Sequence, residues 1–234
     1  MNKVAVIMPT YNRFEFVPDA IKSYLNQTYK DSKLYVIDSS DDNKIEEYIN
    51  SCRSDMISYN RFPKNNMTIA TNEGIKISES EIITQLHSDD MFFDDKVIGK
   101  MVDVFDRTKE TGVEVIYTDW VNIDQGGRFK ADMKPGSVNL KRLIGFEYIN
   151  FLTMSWRRTV NEKFMLDGDF KSYSDFLFKI RCLMECSCLY IPFNFVNYRV
   201  WSGQGSVYMR ESGENPIEEA LMRTKLHGLY GGLF

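Results

Sequence analysis

The residues in this chain best suited to chemistry are two adjacent carboxylates, Asp89 and Asp90, in the run Leu86-His87-Ser88-Asp89-Asp90-Met91. They follow a strand-like stretch, Glu81 to Gln85, and precede a helix-like one. Open parallel sheets bind ligands in the crevice outside the carboxyl ends of their strands, so an acidic pair at a strand end is well placed. Like charges side by side need a reason, and one is a divalent cation. Mg2+ or Mn2+ prefers oxygen ligands and is usually held by one or two carboxylates together with a substrate's phosphates. The bland alternative is a turn of solvated aspartates.

The elements around the pair alternate between two periodicities. Lys3 to Met8 is an almost wholly apolar run ended by Pro9, as in a central parallel strand covered on both faces. After the loop Pro9-Thr10-Tyr11-Asn12-Arg13, residues Val17, Ala20, Ile21, Tyr24 and Leu25 fall at helical spacing, with Pro18 suited to the first turn. Leu34 to Ile37 is a second strand ending at Asp38, and a helix with Ile45, Tyr48, Ile49 and Cys52 on one face follows, capped by Asp41 or Asp42. Met56 to Tyr59 is a weaker strand, and Asn66 caps a helix running through Ser78. Beyond the acidic pair, Asp94 or Asp95 caps a helix that turns Val97, Met101, Val104 and Phe105 inward, and Val113 to Thr118 is the next strand. From Asp119 to Asn150 the periodicity fades into loops, short strands and short helices. A helix then starts near Ser174-Asp175, followed by strands at Leu189 to Ile191 and Phe195 to Val200 and by the loop Trp201 to Ser206. Strands alternating with helices predict an α/β fold with a mostly parallel sheet.

The composition bounds the answer. At 234 residues and 43% hydrophobic, the chain can bury one full core with at most a small appendage. No apolar run approaches the ~18 residues a membrane helix needs, so no transmembrane segment is expected and the location is expected to be cytoplasmic. The tail, Glu218 to Tyr230, is expected to form a helix that buries Leu221, Leu229 and Tyr230. Cys182, Cys186 and Cys188 cluster while Cys52 stands apart, which fits buried thiols better than a disulfide framework or a CxxC metal pair. Neither GxGxxG after the first strand nor a Walker sequence occurs, so dinucleotide and P-loop chemistry are not signalled.

Five stretches, in order, resemble the landmarks of the family 2 glycosyltransferases: VAVIMPTYNR at the start, LNQTY, VIDSSDD, TNEG and HSDD. The similarity continues through Arg157-Arg158, SDFLFKIR from Ser174 and YRVWSGQGS from Tyr198, covering most of residues 3 to 206. The resemblance implies a GT-A fold, Rossmann-like with a smaller acceptor-side subregion. Residues 1–118 would form the half that binds a nucleotide-sugar, 119–210 the acceptor half, and 211–234 a helical tail. It also implies direct, inverting displacement. Pro9, Thr10, Tyr11 and Arg13 would line the nucleotide pocket, and Asp38 would recognise the base. Asn72, His87, Ser88 and Asp90 would lie on the donor side, with Asp89 binding Mn2+ or Mg2+. Arg199 and Ser206 would grip the diphosphate unless their loop is a simple turn, and Asp175 would be the general base unless it is a plain helix cap. Elementary chemistry agrees with these roles. A cation bridging two phosphates stabilises the charge on a departing diphosphate, and a carboxylate accepts the proton of an incoming hydroxyl.

The chain departs from the family at five positions. The family commonly has Asp at His87, Arg at Thr71, Glu at Ser174, an acid at Leu177 and often His at Trp201, so a catalytically silent nucleotide- or sugar-binding relative is an alternative. The acceptor is read from charge. Residues 130–210 carry 12 Lys/Arg against 7 Asp/Glu, whereas 1–129 carry 15 against 22. If Lys134, Lys141, Arg142, Arg157, Arg158, Lys163 and Lys171 share the acceptor face, the acceptor is anionic: a phosphorylated glycan, a lipid-linked sugar, or DNA with a hydroxylated base.

Overall fold

A computed structural model describes residues 2–64, 66–144, 149–204 and 215–231. Strands β1 (Val4–Thr10), β2 (Ser32–Asp38), β3 (Ile57–Arg61) and β4 (Ile82–Gln85) alternate with helices α1 (Val17–Leu25), α2 (Lys44–Cys52) and α3 (Met67–Ile77). Next come β5 (Met91–Phe92), α4 (Val97–Arg107), β6 (Val115–Ile123), β7 (Phe129–Met133) and α5 (Leu140–Ile144). The chain continues through β8 (Ser155–Arg157), α6 (Thr159–Lys163), α7 (Ser174–Glu185), β9 (Cys188–Arg199) and α8 (Asn215–Tyr230). The strands form one sheet in the order β3-β2-β1-β4-β8-β6-β9-β5, with β7 hydrogen-bonded to β6. Pairings among β1 to β4 are parallel, as is β6 with β9, whereas β8 runs antiparallel to both β4 and β6. This is the mostly parallel α/β architecture that the alternating periodicities predict, and the boundary expected at 118 falls inside β6.

Alternation along β1 divides the interior in two. Val4, Val6 and Met8 pack under α1, α2 and α4, whereas Ala5 and Ile7 pack against α3, α6, α7 and α8. A strand covered on both faces has no polar face to show, which is why all seven residues of β1 are buried. The structure carries β1 through Pro9, where the sequence places its end. Leu86 donates to the Ile7 carbonyl, so odd-numbered residues of β1 turn their backbone groups towards β4. β4 pairs no further than Gln85, opposite Ile7, so the missing N–H of Pro9 interrupts no ladder bond.

Other boundaries move for similar local reasons. β6 continues to Ile123 because its polar positions find partners: Tyr190 Oη donates to Asp119 at 2.6 Å, and Trp120 Nε1 to Asn122 at 2.9 Å. The two strands expected between 189 and 200 are one, β9, with register irregularities where it passes Thr118 to Trp120. Asn66 caps α3 as expected, its Oδ1 accepting from Ile69 N at 2.8 Å. Asp41 does not cap α2, being bonded to Tyr11 and Asn12 instead, and Asp42 reaches Lys44 N from outside the cap position. Asp94 holds Lys96 N in the same way ahead of α4. In α8 the buried residues are Met222 and Leu226, while Leu221 and Leu229 are 58% and 48% exposed. The helix is rotated about one residue from the expected facing, and Tyr230 does pack as expected. The four cysteines are free thiols.

Gly74, in the TNEG stretch, lets α3 lie against the sheet. A Cβ there would meet Ile7 Cγ2 at 2.6 Å and Ile37 Cγ1 at 3.1 Å. Gly74→Ala is therefore expected to lower stability by about 1–3 kcal/mol, despite alanine's better helix propensity. Urea unfolding of the two proteins checks this, and an unchanged midpoint contradicts it.

Candidate active site

The carboxyl ends of β1, β2 and β4 bring most of the expected residues to one edge of the sheet. Thr10 lies opposite Asp38, and Ile7 opposite Gln85, the last residue of β4. The end of β9 closes on this edge: Arg199 donates its backbone N–H to Asp90 Oδ1 at 2.6 Å and its Nε–H to the Asp89 carbonyl at 2.8 Å. Asp90 and Arg199 are 1% and 2% exposed. The guanidinium also donates to the Gln125 carbonyl, lies 3.7 Å from Asp19 and sits 4.7 Å over the Phe16 ring. Arg199 thus braces the acidic pair from beneath, where the sequence reading gave it a grip on phosphate. Ser206 lies outside the described residues.

Asp89 is half-buried, and its Oδ2 accepts the indole N–H of Trp201 at 3.1 Å. Three neighbours fix that indole: the Arg13 guanidinium 4.7 Å from its centroid, the Phe16 ring edge-on at 4.9 Å, and Gly203. A Cβ at Gly203 would meet the indole at 2.2 Å. Arg13 also donates to the Gly203 carbonyl at 2.6 Å, tying the first loop to the last. Burial, with the charge of Asp89 adding to it, pushes the Asp90 carboxyl well above the usual range.

His87 has its Nε2 fully buried without a partner among the described residues. Burial lowers its pKa, against the opposing pull of two negative charges, Asp89 and Asp175. The start of α7 is therefore close enough to the end of β4 for both carboxylates to act on one imidazole. Thr10 Oγ1, both polar atoms of the Gln85 amide and Ser174 Oγ are buried and unpartnered as well. Such atoms are expensive in a finished interior and are usual where a ligand or water completes the site. Ser88 is buried beside them.

The face that the sequence reading gives to the nucleotide is tightly laced. Tyr11 is 38% exposed and donates from Oη to Asp41 at 3.0 Å, while Lys64 lies 4.7 Å over its ring. Asn12 adopts φ 51°, and its amide bonds Asp41 on both sides: Nδ2 to Asp41 Oδ2 at 2.8 Å, and Oδ1 from Asp41 N at 3.0 Å. These bonds hold the Asp41 carboxyl below its ordinary range. Asp38 is fully buried; Oδ1 accepts from Ser40 N, and Oδ2 from Tyr59 Oη at 2.9 Å and Arg61 at 3.1 Å. Pro9 is buried at the end of β1.

Two expectations meet other partners here. The Asn72 amide is engaged within the protein: Nδ2 donates to the Leu166 carbonyl at 2.7 Å and Oδ1 accepts from Leu166 N at 3.2 Å, so the amide clamps the segment leading to α7. Three of the seven basic residues expected on an acceptor face are likewise held by protein groups. Arg157 bonds Glu81 and the Val113 and Phe105 carbonyls, Arg158 the Ser80 carbonyl and Ser78, and Lys163 Glu114. Arg157 pairs with Ile82, the first residue of β4, at the opposite end from Asp89. These three cations staple the amino ends of strands.

Sequence reasoning also passed over Lys179. The signal was present: a lysine at i+4 from Asp175, lying between Phe176 and Ile180 on the apolar side of a helix, needs a buried anion.

A divalent cation fits the residues present. His87, Asp89 and Asp90 each offer a ligand atom, all within 4.8 Å of one another, and His87 Nε2 has no partner among the described residues. Imidazole with carboxylate oxygens is a competent set for Mn2+ and, through the carboxylates, for Mg2+.

An acidic pair at a strand end, a carboxylate at the facing helix start and a curled, mostly parallel sheet define a GT-A glycosyltransferase. Residues 5–179 match the pattern described as "Glycosyl transferase family 2", and the chain belongs to that family. It is 30% identical over 215 residues to the poly(ribitol-phosphate) beta-N-acetylglucosaminyltransferase TarP of Staphylococcus aureus, covering 86% of this chain and 63% of TarP. An uncharacterized glycosyltransferase of Rickettsia bellii is 32% identical over 136 residues, which are 58% of this chain and 19% of that protein. The chain thus spans less than two thirds of either relative. S. aureus TarS 1-349 in complex with UDP-GlcNAc superposes with a TM-score of 0.72 at 16% identity, over 86% of this chain and 60% of that one. The mannosyltransferase PcManGT of Pyrobaculum calidifontis, in complex with GDP-Man and Mn2+, gives 0.68 at 14%, over 95% and 64%. No helix among the described residues is long and apolar enough to cross a membrane.

The Asn72 clamp has a measurable consequence. Asn72→Ala leaves both backbone groups of Leu166 without their partners, so a loss of about 1–3 kcal/mol is expected, with faster amide exchange at Leu166. Wild-type protection at Leu166 would contradict the clamp.

Proposed function

We propose that this glycosyltransferase moves a sugar, with inversion, from a UDP-sugar to an acceptor hydroxyl, with a divalent cation centred on Asp89 and Asp175 as general base. The observation that carries the reading is that His87, Asp89 and Asp90 offer ligand atoms within 4.8 Å of one another, among unpartnered buried polar atoms that include Ser174 Oγ next to Asp175. UDP is favoured by the structure of TarS in complex with UDP-GlcNAc and by TarP, an N-acetylglucosaminyltransferase that shares 30% of its aligned residues with this chain. UDP-GlcNAc is therefore the first donor to test.

A bound cation would neutralise the charge growing on the leaving diphosphate. His87 and Asp89 would hold it, with Asp90 beside them. Asp38 and Tyr11 lie on the base side of the crevice, and Arg13 keeps the loop carrying Trp201 against Asp89. Asp175 accepts the acceptor's proton as the hydroxyl oxygen bonds to the anomeric carbon from the face opposite the diphosphate. The bond from that carbon to the phosphate oxygen breaks, and its electron pair leaves with UDP. With the basic staples committed elsewhere, the acceptor class rests on TarP, whose name specifies a poly(ribitol-phosphate). A hydroxyl of a polyol-phosphate chain is thus the acceptor proposed, and a screen should set it beside neutral sugars, lipid-linked sugars and hydroxymethylated DNA, with transfer read by mass.

Calorimetry with UDP, with and without Mn2+, tests the metal role. Asp89→Ala is expected to abolish the Mn2+-dependent gain in affinity, and a wild-type gain would overturn the assignment. Asp175→Asn is expected to keep UDP binding while turnover falls on the order of a hundredfold or more. Undiminished turnover in that variant would remove Asp175 from the reaction.

A further inference from the structure

Lys179 is an unusual residue in α7. Its side chain is 3% exposed, yet it carries an ammonium into the apolar interface among Leu177, Phe178 and Ile180. Lysine is almost never so buried unless it is paired, because stripping an ammonium of water costs several kcal/mol in practice. The pairing is specific: Nζ donates to Asp175 Oδ2 at 2.9 Å and to the Ile149 carbonyl at 3.3 Å. Asp175 itself is one third exposed, and its Oδ1 has no hydrogen-bond partner among the described residues. An exposed i,i+4 pair would be an ordinary surface contact worth little. Here one partner is buried and anchored to a second element, so the carboxylate is held from the protein side and open on the other.

We propose that Lys179 is a positioning residue for Asp175: its buried ammonium ties down Oδ2, fixing the rotamer that offers Oδ1 to the acceptor hydroxyl. The proposal rests on the reading of Asp175 as the base. A carboxylate held by one oxygen keeps the other aimed in one direction, which proton transfer to a positioned base requires. The supports that Glu218 and Asn72 give to the segment before α7 act on its backbone. Glu218 of α8 accepts from Lys171 N at 2.8 Å and Ser172 N at 2.7 Å, and Asn72 clamps Leu166. Among the described residues Lys179 is the one that reaches the carboxylate itself.

The test uses the full chain, with UDP-GlcNAc and Mn2+ as the probe and water or the best acceptor from the screen as nucleophile. Lys179→Met keeps the apolar stem and removes the charge. It is expected to lower kcat about tenfold or more with the KM for UDP-GlcNAc unchanged. Lys179→Arg, which can keep the ion pair, should recover most of the rate. On an Asp175→Asn background, Lys179→Met should cost nothing further, because a residue acting through Asp175 has nothing left to act on. If melting shows that Lys179→Met does not fold, Lys179→Gln takes its place with the same expectations. The proposal is overturned if kcat stays at the wild-type value, if Lys179→Arg is as slow as Lys179→Met, or if the two substitutions are additive. Wild-type turnover in Asp175→Asn alone would instead remove the base assignment, and the proposal with it.

Discussion

The edge of the sheet that carries the site depends on one buried guanidinium. Arg199 ends β9, and its bonds reach the Asp89 carbonyl, the Gln125 carbonyl and Asp19 while its ring contact holds Phe16. A guanidinium that is 2% exposed is tolerable only when its donors are met, and meeting them fixes the segments around Asp19 and Gln125 relative to the acidic pair. Gln204 then donates to the Arg199 carbonyl, so the loop carrying Trp201 is held to the same residue. The strain-free way to keep two aspartates side by side at a strand end is to surround them with donors: Arg199 N on Asp90 and Trp201 Nε1 on Asp89.

The facing wall is built on the other core. α3 lies close to the sheet through Gly74 and presents Asn66, Thr68 and Asn72 along its length. Their side chains bond the carbonyls of Gly168, Phe170 and Leu166 in turn, so the irregular segment before α7 is pinned to a regular helix. α8 buries Met222 and Leu226 and sets Glu218 against the turn at Lys171 and Ser172. A loop-borne approach to α7 thereby acquires the rigidity of two helices, which a carboxylate needs if it is to meet a hydroxyl within hydrogen-bond reach.

What was legible in the sequence was what is written locally. β1 shows itself as an unbroken apolar run because both its faces are covered, Asn66 as a cap because its bond closes three residues away, and the acidic pair because strand and pair are contiguous. Several differences from the sequence reading involve partners distant in sequence. β6 was cut short at Asp119 because the tyrosine that satisfies that aspartate lies 71 residues on. Asn72 looked like a donor ligand because nothing nearby reveals Leu166, 94 residues away. The basic residues of the second half looked like a docking face because charge counts carry no direction, whereas the fold spends Arg157, Arg158 and Lys163 on strand ends.

The departures from the family pattern acquire a common physical sense in the fold. Thr71, Ser174 and Leu177 are each about 2% exposed, so the charged side chains commonly found at those positions would here be buried. Replacing them with neutral residues avoids desolvating ions, and it also takes acids away from the neighbourhood of Asp175 while Lys179 supplies a cation in contact with it. At position 201 an indole cannot ligate a metal as imidazole does. It donates instead to the carboxylate oxygen Oδ2 of Asp89, which leaves Oδ1 as the oxygen without that bond. Arg13 and Phe16 hold the indole in place and Gly203 leaves room for it, so the substitution is built into the loop rather than merely tolerated by it. On the proposed metal role of Asp89, the indole is a donor that would orient a ligand, as the hydrogen-bond partners around metal sites often do.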